Sequence, residues 1–126
     1  MRNCFVLLFL LIVLSGCANT ATTLDMTTLE DQYGELLQDI DLITIRKGNG
    51  NLFKINDAAV IKQWVQDVSS LPLSIDNESK GSVGTLYGVN LYLADELMVN
   101  FSTDHVNGYL LKPNSKLINA INNLLH

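Results

Sequence analysis

The sequence predicts an α+β fold, a two-layer sandwich in which two or three helices lie on one face of an antiparallel sheet of about five strands. Three segments carry apolar residues at the 3.6-residue spacing of a helix, and five shorter segments alternate apolar and polar residues as strands do. The connections between successive alternating segments are short, and short connections join antiparallel neighbours. The 126 residues suffice for one small domain.

A helix and a hairpin are predicted in the first part of this domain. The helix is expected from residue 29 to residue 40, because Thr28 and the acidic residues after it form a capping box and leucines recur at helical spacing. Strands are expected around residues 42–46 and 52–55, which alternate in polarity. The residues between them, Gly48-Asn49-Gly50-Asn51, tolerate positive φ and are interpreted as the hairpin turn.

The second predicted helix contains the single tryptophan of the chain. Asn56 or Asp57 is expected to cap this helix, and Leu71-Pro72 is expected to end it. Its apolar residues recur on one face: Val60, Ile61, Trp64, Val65 and Val68. Because Trp64 lies at the centre of that face, we expect it to pack in the core rather than to contact a ligand.

Three further strands and a closing helix are predicted in the last part of the chain. The strands are expected near residues 85–93, 97–102 and 106–112, with turns at residues 94–96 and 103–105. Pro113-Asn114-Ser115 is expected to open the last helix, whose leucines and isoleucines again recur on one face. The predicted order is therefore helix, two strands, helix, three strands, helix.

Strict alternation along the strands assigns the sheet two unequal faces. The residues expected to point toward the helices are Ile43, Ile45, Phe53, Ile55, Tyr87, Val89, Leu91, Leu93, Leu97, Val99 and Phe101. The residues expected on the other face are Arg46, Lys54, Asn90, Tyr92, Met98, Asn100 and Ser102. On this second face Tyr92 and Met98, with Asn90 and Asn100 beside them, form a candidate binding surface, because aromatic and methionine side chains supply contact area and amides supply direction. An ordinary solvated sheet face is the alternative.

The N-terminus has the layout of a secretory signal peptide. Arg2 precedes an unbroken apolar run from Phe5 to Leu14, whose ten residues would cover about 15 Å of a roughly 30 Å hydrocarbon core as a helix. This run is too short to span a bilayer, and small residues follow it. The sequence Leu14-Ser15-Gly16-Cys17 resembles the lipobox of bacterial lipoproteins.

The lipobox resemblance implies both a processing route and a location. In that family a diacylglycerol is attached to the cysteine thiol, the signal peptide is cleaved before the cysteine, and the new amino group is often acylated. The resemblance therefore implies that residues 1–16 are a cleaved signal peptide and that Cys17 anchors the protein to the cell membrane on the extracytoplasmic side. Residues 17–28 are interpreted as a tether and residues 29–126 as the domain. Because Cys4 leaves with the signal, no disulfide is expected.

Composition and motifs disfavour several classes of function. The net charge of −5 disfavours nucleic acid as a partner, and two histidines cannot form a three-histidine zinc site. No cofactor or metal motif is present, and the glycine-containing turn lacks the lysine of a phosphate-binding loop. Ser102, Asp104 and His105 lie close in sequence, but a strand end followed by a turn does not predict a nucleophile, its base and an orienting group. Asp76 and Glu78 lack the ligand spacing of an EF-hand.

The function that these observations favour is that of a non-enzymatic lipoprotein, a module of the cell envelope that binds a protein or another ligand. The pattern of residues 40–126 behind a lipid anchor resembles the small uncharacterised lipoproteins of low-GC Gram-positive bacteria, a resemblance that implies no functional residues. Two alternatives stay open, a small extracytoplasmic hydrolase and an envelope spacer without a specific ligand.

Overall fold

A computed structural model describes residues 24–78 and 85–126 of the chain. The predicted signal peptide and the lipobox-like sequence, including Cys17, lie outside the described residues. The elements, in chain order, are β1 (Met26–Thr27), α1 (Leu29–Tyr33), a 3₁₀ helix (Gly34–Leu37), β2 (Leu42–Lys47), β3 (Leu52–Ile55), α2 (Ala58–Ser69), β4 (Leu73–Ser74), β5 (Tyr87–Leu93), β6 (Glu96–Ser102), β7 (His105–Val106), β8 (Tyr109–Leu110) and α3 (Ser115–Leu125).

Eight strands form two antiparallel sheets in the described part of the chain. The larger sheet has six strands in the order β3-β2-β5-β6-β7-β8, and β1 pairs with β4 in a separate two-stranded sheet. A bridge between Ile75 and Leu111 joins the end of β4 to the end of β8. The predicted α+β class is confirmed, with six strands in the main sheet rather than about five.

The strand predicted over residues 106–112 is wrong, because the chain reverses within it. Asn107 and Gly108 have φ values of 48° and 84°, and Val106 pairs with Tyr109 across them. Two successive residues with positive φ make the turn whose twist matches that of a two-stranded hairpin, and asparagine followed by glycine favours it. The result is two short strands, β7 and β8, in place of one.

The segment before β2 also differs from its prediction. Thr27, at the end of the predicted tether, is buried and pairs with Leu73, so the last residues of this segment belong to the fold. Thr28 caps α1 as expected, with its hydroxyl accepting from Asp31 N at 3.0 Å. The predicted single helix ends at Gly34, whose φ of 51° an α-helix cannot accommodate, and continues as a 3₁₀ turn.

One hydrophobic core joins the helices to one face of the main sheet. Its fully buried members include Ile43 and Ile45 of β2, Ile61 of α2 and Ile121 of α3. The prediction that Trp64 packs in the core is confirmed, because it is 7% exposed and its indole Nε1 donates to the carbonyl of Ala120 at 2.9 Å. This bond fixes α2 against α3 on the same side of the sheet.

Candidate functional site

The face of the main sheet that points away from the core carries the residues predicted to form a binding surface. The buried residues Ile43 and Ile45 of β2 pair with Leu91 and Val89 of β5. Side chains alternate along a strand, so the neighbouring residues of each strand point to the opposite face. This opposite face is called the open face here. It comprises Leu42, Thr44, Arg46, Leu52, Lys54, Asn90, Tyr92, Asn100 and Ser102, and Leu97 joins it as described next.

A β-bulge at Met98 changes which residues lie beside Tyr92. Leu91 pairs with Val99, but the next residue, Tyr92, pairs with Leu97, so Met98 is an extra residue without a partner in the ladder. Met98 is partly buried and packs against the core, whereas Leu97 is 50% exposed. The predicted faces of Met98 and Leu97 are therefore wrong, because one inserted residue exchanges the faces beyond it.

The open face consequently has an apolar row at one end. Leu42 pairs with Tyr92, and Tyr92 pairs with Leu97, which places the three side chains on neighbouring strands within cross-strand contact distance. Leu42 and Tyr92 are half-buried and Leu97 is exposed. We call these three residues the Leu42–Tyr92–Leu97 row, and it replaces the pair of Tyr92 and Met98 that strict alternation predicted.

A row of polar side chains lies directly beside the apolar row. Asn90 and Asn100 are cross-strand partners, and the Asn100 amide Nδ2 donates to Asn90 Oδ1. Thr44 pairs with Asn90 on its other side and is 6% exposed. The structure therefore brings Asn90, Asn100 and Tyr92 together as predicted, with amide groups next to an aromatic ring.

Tyr33 links strand β6 to the turn between β7 and β8, beside the open face. Its hydroxyl donates to the carbonyl of Asn100 at 3.0 Å and accepts from the backbone N–H of Asn107 at 2.9 Å. Burial raises the pKa of Tyr33, and the hydrogen bond from Asn107 opposes part of that effect. The Tyr33 hydroxyl must be neutral here, because only its protonated form can donate to the carbonyl of Asn100. Gln32 strengthens the junction by accepting from the Asn107 amide at 2.9 Å.

The structure brings Ser102, Asp104 and His105 together, but not in the serine–histidine–aspartate order of a catalytic triad. The Ser102 hydroxyl donates to Asp104 Oδ1 at 2.7 Å, and His105 Nδ1 lies 3.2 Å from the same oxygen. Thr85 donates to that oxygen as well, at 2.7 Å. A serine nucleophile needs its hydroxyl against the imidazole, and here both groups meet at the carboxylate instead. The backbone N–H of His105 also donates to Ser102 Oγ, so the cluster holds the turn against the strand.

Other candidate ligand positions have structural roles. Asp76 Oδ1 accepts from Glu78 N at 3.2 Å within its own turn. The glycine-containing turn closes the β2–β3 hairpin, with Lys47 N donating to Asn51 O at 2.8 Å. In residues 24–78 and 85–126, no group of three or more His, Cys, Asp or Glu side chains is placed to hold a metal ion.

A groove of about 730 Å³ lies between the 3₁₀ helix and α2. Its large apolar lining residues are themselves buried, so they offer a ligand little surface: Leu37, Ile40, Ile61 and Val65. Its charged lining residues are Glu30, Asp39, Asp41 and Lys62. Asp41 is used by the fold, because its Oδ2 accepts from Ala94 N at 3.1 Å.

None of the helices in the described part of the chain has the length and apolar content needed to cross a bilayer. No protein-family model, curated protein or solved structure matches this chain. Any functional assignment therefore depends on the chain's own residues.

Proposed function

We propose that the protein is a lipid-anchored lipoprotein of the cell envelope that binds a partner through the open face of its sheet and carries out no chemical reaction. The lipid is attached at Cys17, and the domain lies on the extracytoplasmic side of the cell membrane. The observation that carries the binding part of the proposal is the Leu42–Tyr92–Leu97 row beside the Asn90–Asn100 pair.

The distance between the lipobox and the fold supports the anchoring part of the proposal. Cys17 precedes the first described residue, Leu24, by seven positions, and β1 begins at Met26. Seven residues reach at most about 25 Å when extended. A lipid on Cys17 would therefore keep the domain close to the membrane surface, where its partners would be envelope components or proteins bound to the same membrane. Two or more acyl chains give a stable anchor without a spanning helix.

The composition of the open face supports a binding role. A protein interface combines a few large side chains that lose contact with water and polar neighbours that fix the orientation of the partner. Tyr92 and Leu97 provide the large side chains, and Asn90 and Asn100 provide the polar neighbours. Leu97 is 50% exposed in the described part of the chain, and this exposed surface could contact a partner.

Cross-linking in the producing cells tests this proposal. The anchored protein is cross-linked and recovered, and its partners are compared with those of the double variant Tyr92→Ala, Leu97→Ala. The control is Leu36→Ala, Val60→Ala, which removes two apolar side chains that are 43% and 44% exposed, close to the 50% of Leu97, from another surface. We expect the partner to be lost with the first double variant and kept with the second.

The same experiment separates the proposal from its alternatives. Circular dichroism should stay nearly unchanged in both double variants, because none of the removed side chains is fully buried. The melting temperature should stay nearly unchanged in the control and fall only modestly in Tyr92→Ala, Leu97→Ala, since Tyr92 is half-buried. A folded Tyr92→Ala, Leu97→Ala variant that keeps every partner contradicts the binding surface and favours an envelope spacer. A variant that unfolds shows that the row contributes to stability, and Leu97→Asn alone, which keeps Tyr92, then decides whether partner binding needs the exposed leucine.

A further inference from the structure

Strand β3 leaves one row of backbone hydrogen-bonding groups without a strand partner in the described fold. It is the outermost strand of the main sheet on the side opposite β8. Lys47 N donates to Asn51 O, so Lys47 and Asn51 form a hydrogen-bonded pair beside the turn of the β2–β3 hairpin. Along an antiparallel ladder, hydrogen-bonded pairs alternate with pairs that are not hydrogen-bonded. Phe53 and Ile55 are therefore bonded to β2, while the N–H and C=O groups of Leu52 and Lys54 point away from the sheet. Such an edge can accept an added strand.

The hairpin that contains this edge is a cationic region of an acidic protein. Residues 42–56 contain Arg46, Lys47 and Lys54 and no carboxylate, whereas residues 29–41 contain five carboxylates and no cation. In the described ranges, no carboxylate lies within 4.0 Å of these three cations. The net charge of −5 describes the whole chain and therefore gives no sign that the cations are separated from the carboxylates in this way.

The side chains of β3 also offer apolar surface on both faces of the edge. Leu52 is 47% exposed on the open-face side, and Phe53 and Ile55 are partly buried against the core on the other side. Lys47 Nζ lies 5.2 Å from the centroid of the Phe53 ring, which keeps a positive charge beside that ring. A strand added to β3 would cover the exposed parts of these residues and place its own side chains near the cations.

We propose that the β3 edge is a second binding site, which takes an extended acidic peptide segment as an added antiparallel or parallel strand. Backbone hydrogen bonds to Leu52 and Lys54 would provide the pairing, and glutamate or aspartate side chains of the guest would face Arg46 and Lys54. This site goes beyond the proposed open-face function, because it does not use the Leu42–Tyr92–Leu97 row.

Charge and position favour this occupant over others. A second copy paired through its own β3 would bring like charges together, and lysine on an edge strand opposes such pairing. The chain enters the described fold at the other side of the sheet, because β1 pairs with β4 and Ile75 beyond β4 bridges to Leu111. Five strand spacings separate β3 from β8, about 24 Å. The β3 edge is thus remote from the point at which the tether joins.

A peptide titration tests the proposal on the full chain in a neutral detergent. The probe is the capped heptapeptide acetyl-Val-Glu-Val-Glu-Val-Glu-Val-amide, followed by the amide NMR signals of the protein. We expect the largest changes at Leu52 and Lys54, with slower hydrogen exchange of both amides. Lys54→Glu should weaken binding by about tenfold or more, because it replaces an attractive charge by a repulsive one. Lys116→Glu, the same charge change at an exposed position of α3, should leave binding within about twofold, because charges remote from the β3 edge are screened by salt.

Two modified ligands keep the test independent of how the variants fold. The same heptapeptide with N-methyl groups on alternate residues keeps its charges but loses one row of N–H donors, and we expect its binding to be lost. Equal binding of the methylated and unmethylated peptides overturns strand addition in favour of charge attraction alone. Equal binding of a peptide with lysine in place of each glutamate overturns the acidic specificity.

Two controls exclude other occupants and the other surface. Concentration-dependent changes in the amide NMR signals of Leu52 and Lys54 without any peptide assign the edge to a second copy and also overturn the proposal. Retained peptide binding by the Tyr92→Ala, Leu97→Ala variant distinguishes this site from the Leu42–Tyr92–Leu97 row.

Discussion

Replacing Trp64 by alanine tests the core that supports every surface described above. Trp64 is 7% exposed and donates to the carbonyl of Ala120 at 2.9 Å. Truncation of a buried tryptophan costs about 3–5 kcal/mol through lost burial and the cavity left behind. Loss of the hydrogen bond adds about 1 kcal/mol, because the carbonyl of Ala120 in α3 loses the indole donor from α2. Domains of this size have stabilities of about 5–15 kcal/mol, so we expect the variant to lose a large part of its stability.

Urea denaturation followed by circular dichroism measures this loss without relying on the removed fluorophore. Trp64→Phe keeps most of the packing and removes the indole donor, so its loss should be smaller than that of Trp64→Ala. Val60→Ala is the matched control on the same helix, because Val60 is 44% exposed, and we expect a change within about 0.5 kcal/mol. If Trp64→Ala has the same urea midpoint as the wild type, the packing of α2 against α3 is not what stabilises the domain.

Two further substitutions test the hydrogen bonds of Tyr33 beside the open face and the turn between β5 and β6. Tyr33→Phe removes the hydroxyl shared by Asn100 and Asn107, and we expect a loss of about 1–2 kcal/mol at neutral pH in urea denaturation. Because the folded-state pKa of Tyr33 is raised above its usual 10.0, its contribution is present below that pH and falls as the pH rises above it. The stability difference between wild type and Tyr33→Phe should therefore shrink above about pH 10, and a difference that is constant across pH contradicts the assigned protonation. Ala94→Asn should raise the free energy of unfolding by about 0.5–1 kcal/mol, since Ala94 has a φ of 50° in the turn between β5 and β6 and asparagine tolerates this region better. An unchanged or lower melting temperature for Ala94→Asn contradicts that interpretation of the turn.

Long periodic segments could be predicted from the sequence because many residues contribute to one pattern. Helices α2 and α3 each bury one apolar face over eleven or more residues, and the β2–β3 hairpin has a turn that tolerates positive φ. Strands β1 and β4 have two residues each, too few for any periodicity, and they form only because Met26–Thr27 and Leu73–Ser74 come together in the folded chain. Their pairing depends on contacts distant in sequence.

The bulge at Met98 limited the prediction of the candidate site, although the sequence contains a signal for it. A two-residue turn at Ala94–Asp95 pairs Tyr92 with Leu97. Burial of Val89 and Leu91 on one face, however, pairs them with the buried residues Phe101 and Val99. Both conditions hold only if one residue of β6 is extra. We expected a three-residue turn at residues 94–96, which hid this conflict. The cationic β3 edge was missed for another reason, because the outermost strand of a sheet depends on topology rather than on local pattern.

Mass spectrometry of the N-terminus of the mature protein tests the central claim most directly. The protein is extracted from the producing cells with detergent, digested and analysed for its first peptide. Lipid attachment predicts a peptide that begins at Cys17 and carries a diacylglycerol, and Cys17→Ser should leave the chain unprocessed and without lipid. An unmodified first peptide from the wild-type protein, or one that begins before Cys17, contradicts the proposal that this domain is a membrane-anchored lipoprotein.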